Sequence, residues 1–350
     1  MDPNRIWPRP TLYALPDPTE ACPRPAVSLN GTWRLNLRPG EDFASPETDI
    51  SLWEEVTVPY QLSGRQEGPY AYAREVCVPE DWKESAVILR FDGVNCDAKI
   101  YWDGFLCGSH YGGFVSWNCV VTPLASPGIH RLTVLTEDKP MEVNPFHTGG
   151  IIRDVTLYRL ADTPITRLQA FTAFDPDYRD AKLTVMTGVE SPRPGQTLKL
   201  SLLSPDGQPE LTDSFPAEAD LSREYEILSP LKWDSEHPNL YTLSLELHEN
   251  GKLLQKTHKD IGFRQIEKRG NQVFINGDLL KLRGVNRHDI YPLTGRAVTH
   301  ELVEQDIRLF KKKFCQKYLG SLSATKVRHI SVKPYIQKSK CPCNLFHLRI

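Results

Sequence analysis

Asn276-Gly277-Asp278-Leu279-Leu280-Lys281-Leu282-Arg283-Gly284-Val285-Asn286-Arg287-His288-Asp289 is where the chain changes character. Residues 273–275 and 279–282 read as short strands about an Asn276-Gly277 turn, a pair of residues that tolerates the positive φ a tight hairpin demands. Further on, 299–310 (THELVEQDIRLF) sets Leu302, Val303, Ile307 and Phe310 on one helical face, with Thr299 placed to cap its start. Strand, loop and helix in this order form the first unit of an α/β barrel. Loops at the C-terminal ends of barrel strands build active sites, so Asn286, Arg287 and His288 are the first candidate ligand contacts.

Upstream of this segment the reading is all β. Residues 181–189 (AKLTVMTGV), 197–203 (TLKLSLL) and 241–247 (YTLSLEL) alternate polar and apolar side chains, and Asn250-Gly251 turns the last of them into 252–258. Roughly a hundred residues with strands at this spacing predict a small immunoglobulin-like sandwich. The break at Ala161-Asp162-Thr163-Pro164 separates it from a first β region, with strands at 86–91 (AVILRF), 98–102 (AKIYW), 130–135 (HRLTVL) and 155–160 (VTLYRL) and a hairpin turn at Asp103-Gly104. No stretch there keeps a helical period over three turns, which predicts a second sandwich of two sheets.

The totals agree with several domains of ordinary composition. The chain has 350 residues, a net charge of -2 and 40% hydrophobic residues, so no global field draws it to nucleic acid or to a membrane. No apolar run reaches the ~18 residues that span a bilayer, and the first ten residues have neither a basic start nor an apolar stretch, so a cytoplasmic location is expected. The eight cysteines are irregularly spaced and several fall in apolar strand patterns, where a thiol serves as a small hydrophobe; reduced cysteines are expected. Cys341 and Cys343 lack a second ligand pair, so no metal is predicted, and His147 before Gly149-Gly150 lacks the Lys and Ser/Thr of a phosphate loop.

Beyond Phe310 the pattern dissolves. Residues 311–350 carry ten lysines and arginines and no Asp or Glu. Such a run can be a nucleic-acid tail, but it has no repeats and no recognisable binding fold, and it begins in mid-domain. A sequence that has lost its proper continuation is the expectation, with the tail disordered; a frameshift, an assembly error and a gene fusion would all leave this trace.

Several motifs connect these regions. They are Leu29-Asn30-Gly31-Thr32-Trp33, Phe91-Asp92-Gly93-Val94, Trp102-Asp103-Gly104 with Gly108-Ser109-His110-Tyr111-Gly112-Gly113-Phe114, Gly150-Ile151-Ile152-Arg153-Asp154-Val155, Leu231-Lys232-Trp233 with His237-Pro238-Asn239-Leu240-Tyr241, and Gly262-Phe263-Arg264 ahead of Gly284-Val285-Asn286-Arg287-His288-Asp289. In this order the chain resembles the family-two glycoside hydrolases, the group of β-galactosidases, β-glucuronidases and β-mannosidases. The resemblance implies a multidomain, mainly β protein. A jelly-roll sugar-binding-type sandwich would span 1–160, an immunoglobulin-like sandwich 161–265 and the first strand-helix unit of a TIM barrel 266–310, with 311–350 outside the family.

The implied activity is retaining hydrolysis of terminal β-linked sugars, without a cofactor, on a carbohydrate substrate. A homo-oligomer is left open, and neither nucleic acid nor a membrane is an expected partner. By the same resemblance, His288 with Asn286 and Arg287 would contact the sugar, as would Asn144 on a loop of the first sandwich, although an ordinary turn at Asn144-Pro145 is an equal reading. Retaining glycosidases need two carboxylates flanking the scissile bond. No Asp or Glu follows Asp306, so no catalytic residue is assigned and the chain alone is expected to be inactive. A non-catalytic carbohydrate-binding protein is the alternative. Trp102, Trp117, Tyr70, Tyr72 and Tyr111 could stack on sugars, but aromatics in a sandwich are more often core.

Overall fold

The computed structural model describes residues 12–62, 68–137, 149–280 and 288–314. They divide into two compact units, one containing Arg24–Asp162 and Asp289–Val303, the other Ala14–Pro23 and Thr163–His288.

The first unit is a sandwich. Its strands are β1 (Ala26–Ser28), β2 (Gly31–Asn36), β3 (Glu54–Val58), β4 (Pro69–Val78), β5 (Ala86–Phe91), β6 (Val94–Asn95), β7 (Asp97–Trp102), β8 (Phe105–Tyr111), β9 (Trp117–Val120), β10 (Gly128–Glu137), β11 (Gly150–Ile151) and β12 (Val155–Leu160). One sheet runs β3-β2-β4-β10-β7-β8, the other β1-β12-β5-β9, and β11 pairs with β6. The facing sides share one core that includes Trp33, Tyr72, Trp82, Phe91, Ile100, Trp102 and Leu157. Each large apolar side chain buried this way contributes about 1.5–3 kcal/mol. The expected strands at Ala86–Phe91 and Val155–Leu160 appear with those bounds. Asp103 and Gly104 take φ of 48° and 85°, the mirror-image turn that suits the twist of a two-residue hairpin.

Strand β4 escapes a period-2 reading because both of its faces are covered. Tyr70 and Tyr72 enter the core, while Ala71 and Ala73 are buried on the other face. The chain between β2 and β3 packs on that outer face: Phe43 meets Tyr101 edge-on at 5.2 Å, and Arg131 donates to the Thr48 carbonyl at 3.1 Å.

The second unit holds β13 (Ile165–Phe174), β14 (Ala181–Val189), β15 (Gln196–Leu203), β16 (Pro209–Pro216), β17 (Leu221–Ile227), β18 (Tyr241–Glu249) and β19 (Lys252–Ile261) in sheets β13-β14-β17 and β16-β15-β18-β19. Alternation is regular, with Leu198, Leu200 and Leu202 buried opposite Leu247, Leu245 and Leu243. The segment 14–23 joins this unit at Ala14, whose N–H goes to the Ile165 carbonyl of β13, and at Asp17, which donates its N–H to the Lys256 carbonyl of the edge strand β19 and meets His258 with its carboxylate at 2.7 Å.

A small sheet follows, β20 (Ile266–Arg269), β21 (Gln272–Ile275) and β22 (Asp278–Leu279). Asn276 and Gly277 turn it with φ of 50° and 89°, and the Asn276 amide donates to the Trp233 carbonyl. Of the expected second arm, 279–282, Leu279 lies in β22, and residues 281–287 lie outside the described residues. Helix α1 (His300–Phe314) runs four residues past its expected end. Its cap is the expected one: the Thr299 hydroxyl oxygen accepts from the Leu302 N–H at 3.4 Å.

The aromatic question resolves toward packing. Trp102, Trp117, Tyr70 and Tyr72 are buried and Tyr111 is half-buried. Among the described residues, no disulfide joins Cys22, Cys77, Cys96, Cys107 or Cys119.

Candidate functional site

The motifs of the first unit meet in one place. Gly93 presents its carbonyl to the N–H groups of Ile152 and Arg153 at 3.0 and 3.2 Å. A Cβ at Gly93 would lie 2.9 Å from the Gly113 carbonyl and 3.0 Å from Arg153 Cγ, and one at Gly113 would strike the Asn95 side chain. Gly150, at φ +116°, sits under the Tyr60 carbonyl with room for a hydrogen and for no side chain. Asn30 closes the group: its amide nitrogen donates to Asp154 Oδ1 at 2.9 Å and its oxygen accepts from the Val155 N–H at 3.1 Å. The glycines are thus conditions of close approach, and their effect is to lay Arg153 across the sandwich surface.

Arg153 is the polar centre of this surface. Its guanidinium donates to the carbonyls of Ile152, at 2.8 Å, and of Arg296, and its Nη2 lies 3.2 Å from Asp289 Oδ2. The side chains of Arg153 and Asp289 are only 20% and 11% exposed, so the pair is largely shielded from water and from salt. The chain from Asp289 to Val298 is held further by reciprocal backbone bonds between Tyr291 and Gly295, by the Arg296 N–H donated to Gln61 Oε1, and by the Arg296 guanidinium 5.4 Å over the Phe114 ring. Ala297 and Val298 are buried at the end of this loop. At the start of α1, His300 Nε2 stands 3.3 Å from Asp154 Oδ2.

Beneath the motifs, Asp92 accepts from the Ser116 hydroxyl and from Arg90 Nε at 3.0 Å. Burial pulls the Arg90 guanidinium below its ordinary value, partly offset by Tyr158, and it remains a cation because its starting value is so high. The acid and the base here neutralise each other in the interior; neither is presented to a ligand.

Of the residues proposed from sequence to touch a sugar, His288 is described and exposed. Asn144, Asn286 and Arg287 lie outside the described residues. The structure adds Asp289 and Arg153, which sequence reasoning passed over. Both belong to quoted motifs and carry opposite charges, the one available signal, but 136 residues separate them. What the described arrangement does chemically is hold a loop in place; the Asp289 carboxylate is engaged in an ion pair rather than set to attack or to protonate.

Family models match the chain in series: the sugar binding domain of the glycosyl hydrolases family 2 over residues 54–161, the family's central model over 163–264, and its TIM barrel domain over 266–317. The chain belongs to glycosyl hydrolase family 2. A β-galactosidase of Psychromonas ingrahamii is 26% identical over 339 residues, an alignment covering 81% of this chain and 32% of that protein. The β-galactosidase of Priestia megaterium is 28% identical over 335 residues, with the same coverage of 81% and 32%. Among solved structures, Bacteroides uniformis β-glucuronidase superposes with a TM-score of 0.73 at 25% identity over 82% of this chain and 38% of that one. The chain therefore spans about a third of the length of the curated relatives it matches.

Proposed function

We propose that this chain is the sandwich portion, with the opening of the barrel, of a family-2 hydrolase that removes terminal β-linked sugars with retention of configuration, and that the chain by itself does not turn over. The observation that carries the reading is the serial match to three segments of one family. Its negative half is chemical. Retention requires an acid/base and a nucleophile held about 5–5.5 Å apart, and in family 2 both come from the barrel, of which the sequence after Asp306 supplies neither. The chain would thus contribute sugar contacts, Asn144 from the first sandwich and Asn286, Arg287 and His288 from the barrel loop, rather than rate. Burial of Trp102, Trp117, Tyr70 and Tyr72 weighs against the purely carbohydrate-binding alternative, since stacking needs an open ring face.

The test is turnover of chromogenic β-galactoside, β-glucuronide and β-mannoside by the purified chain. None is expected above buffer. Hydrolysis that co-purifies with the chain and yields to a specific inhibitor would overturn the inactivity reading.

A further inference from the structure

We propose that Asn250 is a site of spontaneous amide-to-acid conversion, which the fold leaves open there and closes at the chain's other Asn–Gly pairs. The pairs are Asn30-Gly31, Asn250-Gly251 and Asn276-Gly277. In each, the backbone nitrogen of the glycine must reach the side-chain carbonyl carbon of the asparagine, an approach that no Cβ on the following residue obstructs. The glycine nitrogen gives its proton to water or hydroxide and bonds to Cγ; the Cγ–Nδ2 bond breaks, ammonia leaves and a cyclic imide remains. Water then opens the imide at either carbonyl, leaving an aspartyl or an isoaspartyl residue. Nothing is oxidised or reduced.

Asn250 and Asn276 occupy the same kind of turn, which removes backbone geometry from the comparison. The φ values are 51° and 80° across Asn250-Gly251 and 50° and 89° across Asn276-Gly277. What differs is the hold on the side chain. The Asn276 amide donates to the Trp233 carbonyl at 3.1 Å and its oxygen accepts from the Gln265 N–H at 2.9 Å, while Gly277 lies against the Tyr178 ring, where a Cβ would come within 2.8 Å. Asn30 is held at both ends too, by Asp154 and the Val155 N–H. Asn250 and Gly251 are exposed, and among the described residues the Asn250 side chain makes no hydrogen bond. Its amide is therefore free to turn toward the Gly251 nitrogen.

The product alters the end of β18. A carboxylate at position 250 would stand beside Glu249, which already accepts from Arg193 Nε at 2.9 Å and from Gln196 Nε2 at 3.2 Å. The isoaspartyl form routes the main chain through Cβ and so lengthens the tight loop that sets Glu249 opposite Lys252.

The experiment incubates the full chain at mildly alkaline pH in heavy-oxygen water, folded and, in parallel, unfolded in guanidinium chloride, then digests it in ordinary water and maps the peptides by mass. Heavy oxygen marks only conversion that preceded digestion. In the folded chain Asn250 should convert first, with Asn30 and Asn276 roughly tenfold to a hundredfold slower, the factor for two side-chain hydrogen bonds that must break. In the unfolded chain all these pairs should convert at similar rates. Gly251→Ala, whose Cβ would meet nothing within 4 Å, should slow conversion at Asn250 by about tenfold or more. Asn276 converting as fast as Asn250 in the folded chain, or Asn250 staying intact there while the unfolded chain converts, would overturn the proposal; so would an undiminished rate in Gly251→Ala.

Discussion

Replacing Gly150 by alanine isolates what the motif glycines contribute. Gly150 has φ +116° and an added Cβ would come 2.5 Å from the Tyr60 carbonyl and 3.0 Å from the Tyr72 hydroxyl. Gly31 offers an internal control: its φ is +100° and a Cβ there would meet nothing within 4 Å. Both alanines bear the backbone term, about 1–3 kcal/mol for an L-residue forced into sparsely populated φ/ψ space. Only Gly150→Ala adds the overpacking term, again about 1–3 kcal/mol, because a backbone carbonyl cannot rotate away as a side chain can.

Gly150→Ala should therefore be about 2 kcal/mol less stable than Gly31→Ala, a large part of the roughly 5–15 kcal/mol of a typical domain. With a urea slope of about 2 kcal/mol per molar, the midpoint separates by about 1 M. Tryptophan fluorescence is the natural probe, since Trp33, Trp82, Trp102 and Trp117 are buried in the first unit. Equal midpoints for the two variants would refute the reasoning, by showing that the Tyr60 backbone yields at little cost.

Two further outcomes are expected. Glu267 accepts from Tyr178 at 2.6 Å, from Gln265 at 2.7 Å and from Arg269 at 2.5 Å, and these partners, the Tyr178 hydroxyl foremost, pull its carboxyl down to about 2. A depressed carboxyl stabilises the folded form above the unfolded value and loses that contribution as the pH falls through the folded one. The gap in Tm between wild type and Glu267→Gln should thus be full above about pH 4.5 and close toward about pH 2; a gap independent of pH would contradict the assignment. Desolvation foremost, then neighbouring Cys107, pushes the Cys119 thiol up to about 12, whereas Cys77 is exposed. Native alkylation followed by mass spectrometry should label Cys77 readily and Cys119 only after unfolding; early modification of Cys119 would show that its strand opens locally.

Much of the fold was legible because its signals are local. A half-buried strand announces itself by alternation, as at Ala181–Val189, and Asp103-Gly104, Asn250-Gly251 and Asn276-Gly277 each name a turn whose positive φ few other pairs tolerate. Thr299 could be read as a cap from its place ahead of the apolar stripe. Illegible were the elements whose burial is set from outside. Strand β4 shows no alternation over Tyr70–Ala73 because both of its faces are buried there, and residues 14–23 carry no pattern because their partners are distant in sequence, 241 residues away in the case of Asp17 and His258.

By itself, then, the sequence determined which stretches pair into hairpins, where the chain changes from sandwich to barrel pattern, and that no acidic residue follows Asp306. Tertiary structure alone decided that Gly93, Gly113 and Gly150 are contact points, that Tyr72 and Trp102 are core, and that Arg153 holds Asp289. The division has a physical reason. Turn and strand preferences act over a few residues of backbone, whereas an ion pair closing 136 residues exists only once two sheets have packed and excluded water from the site where the charges meet.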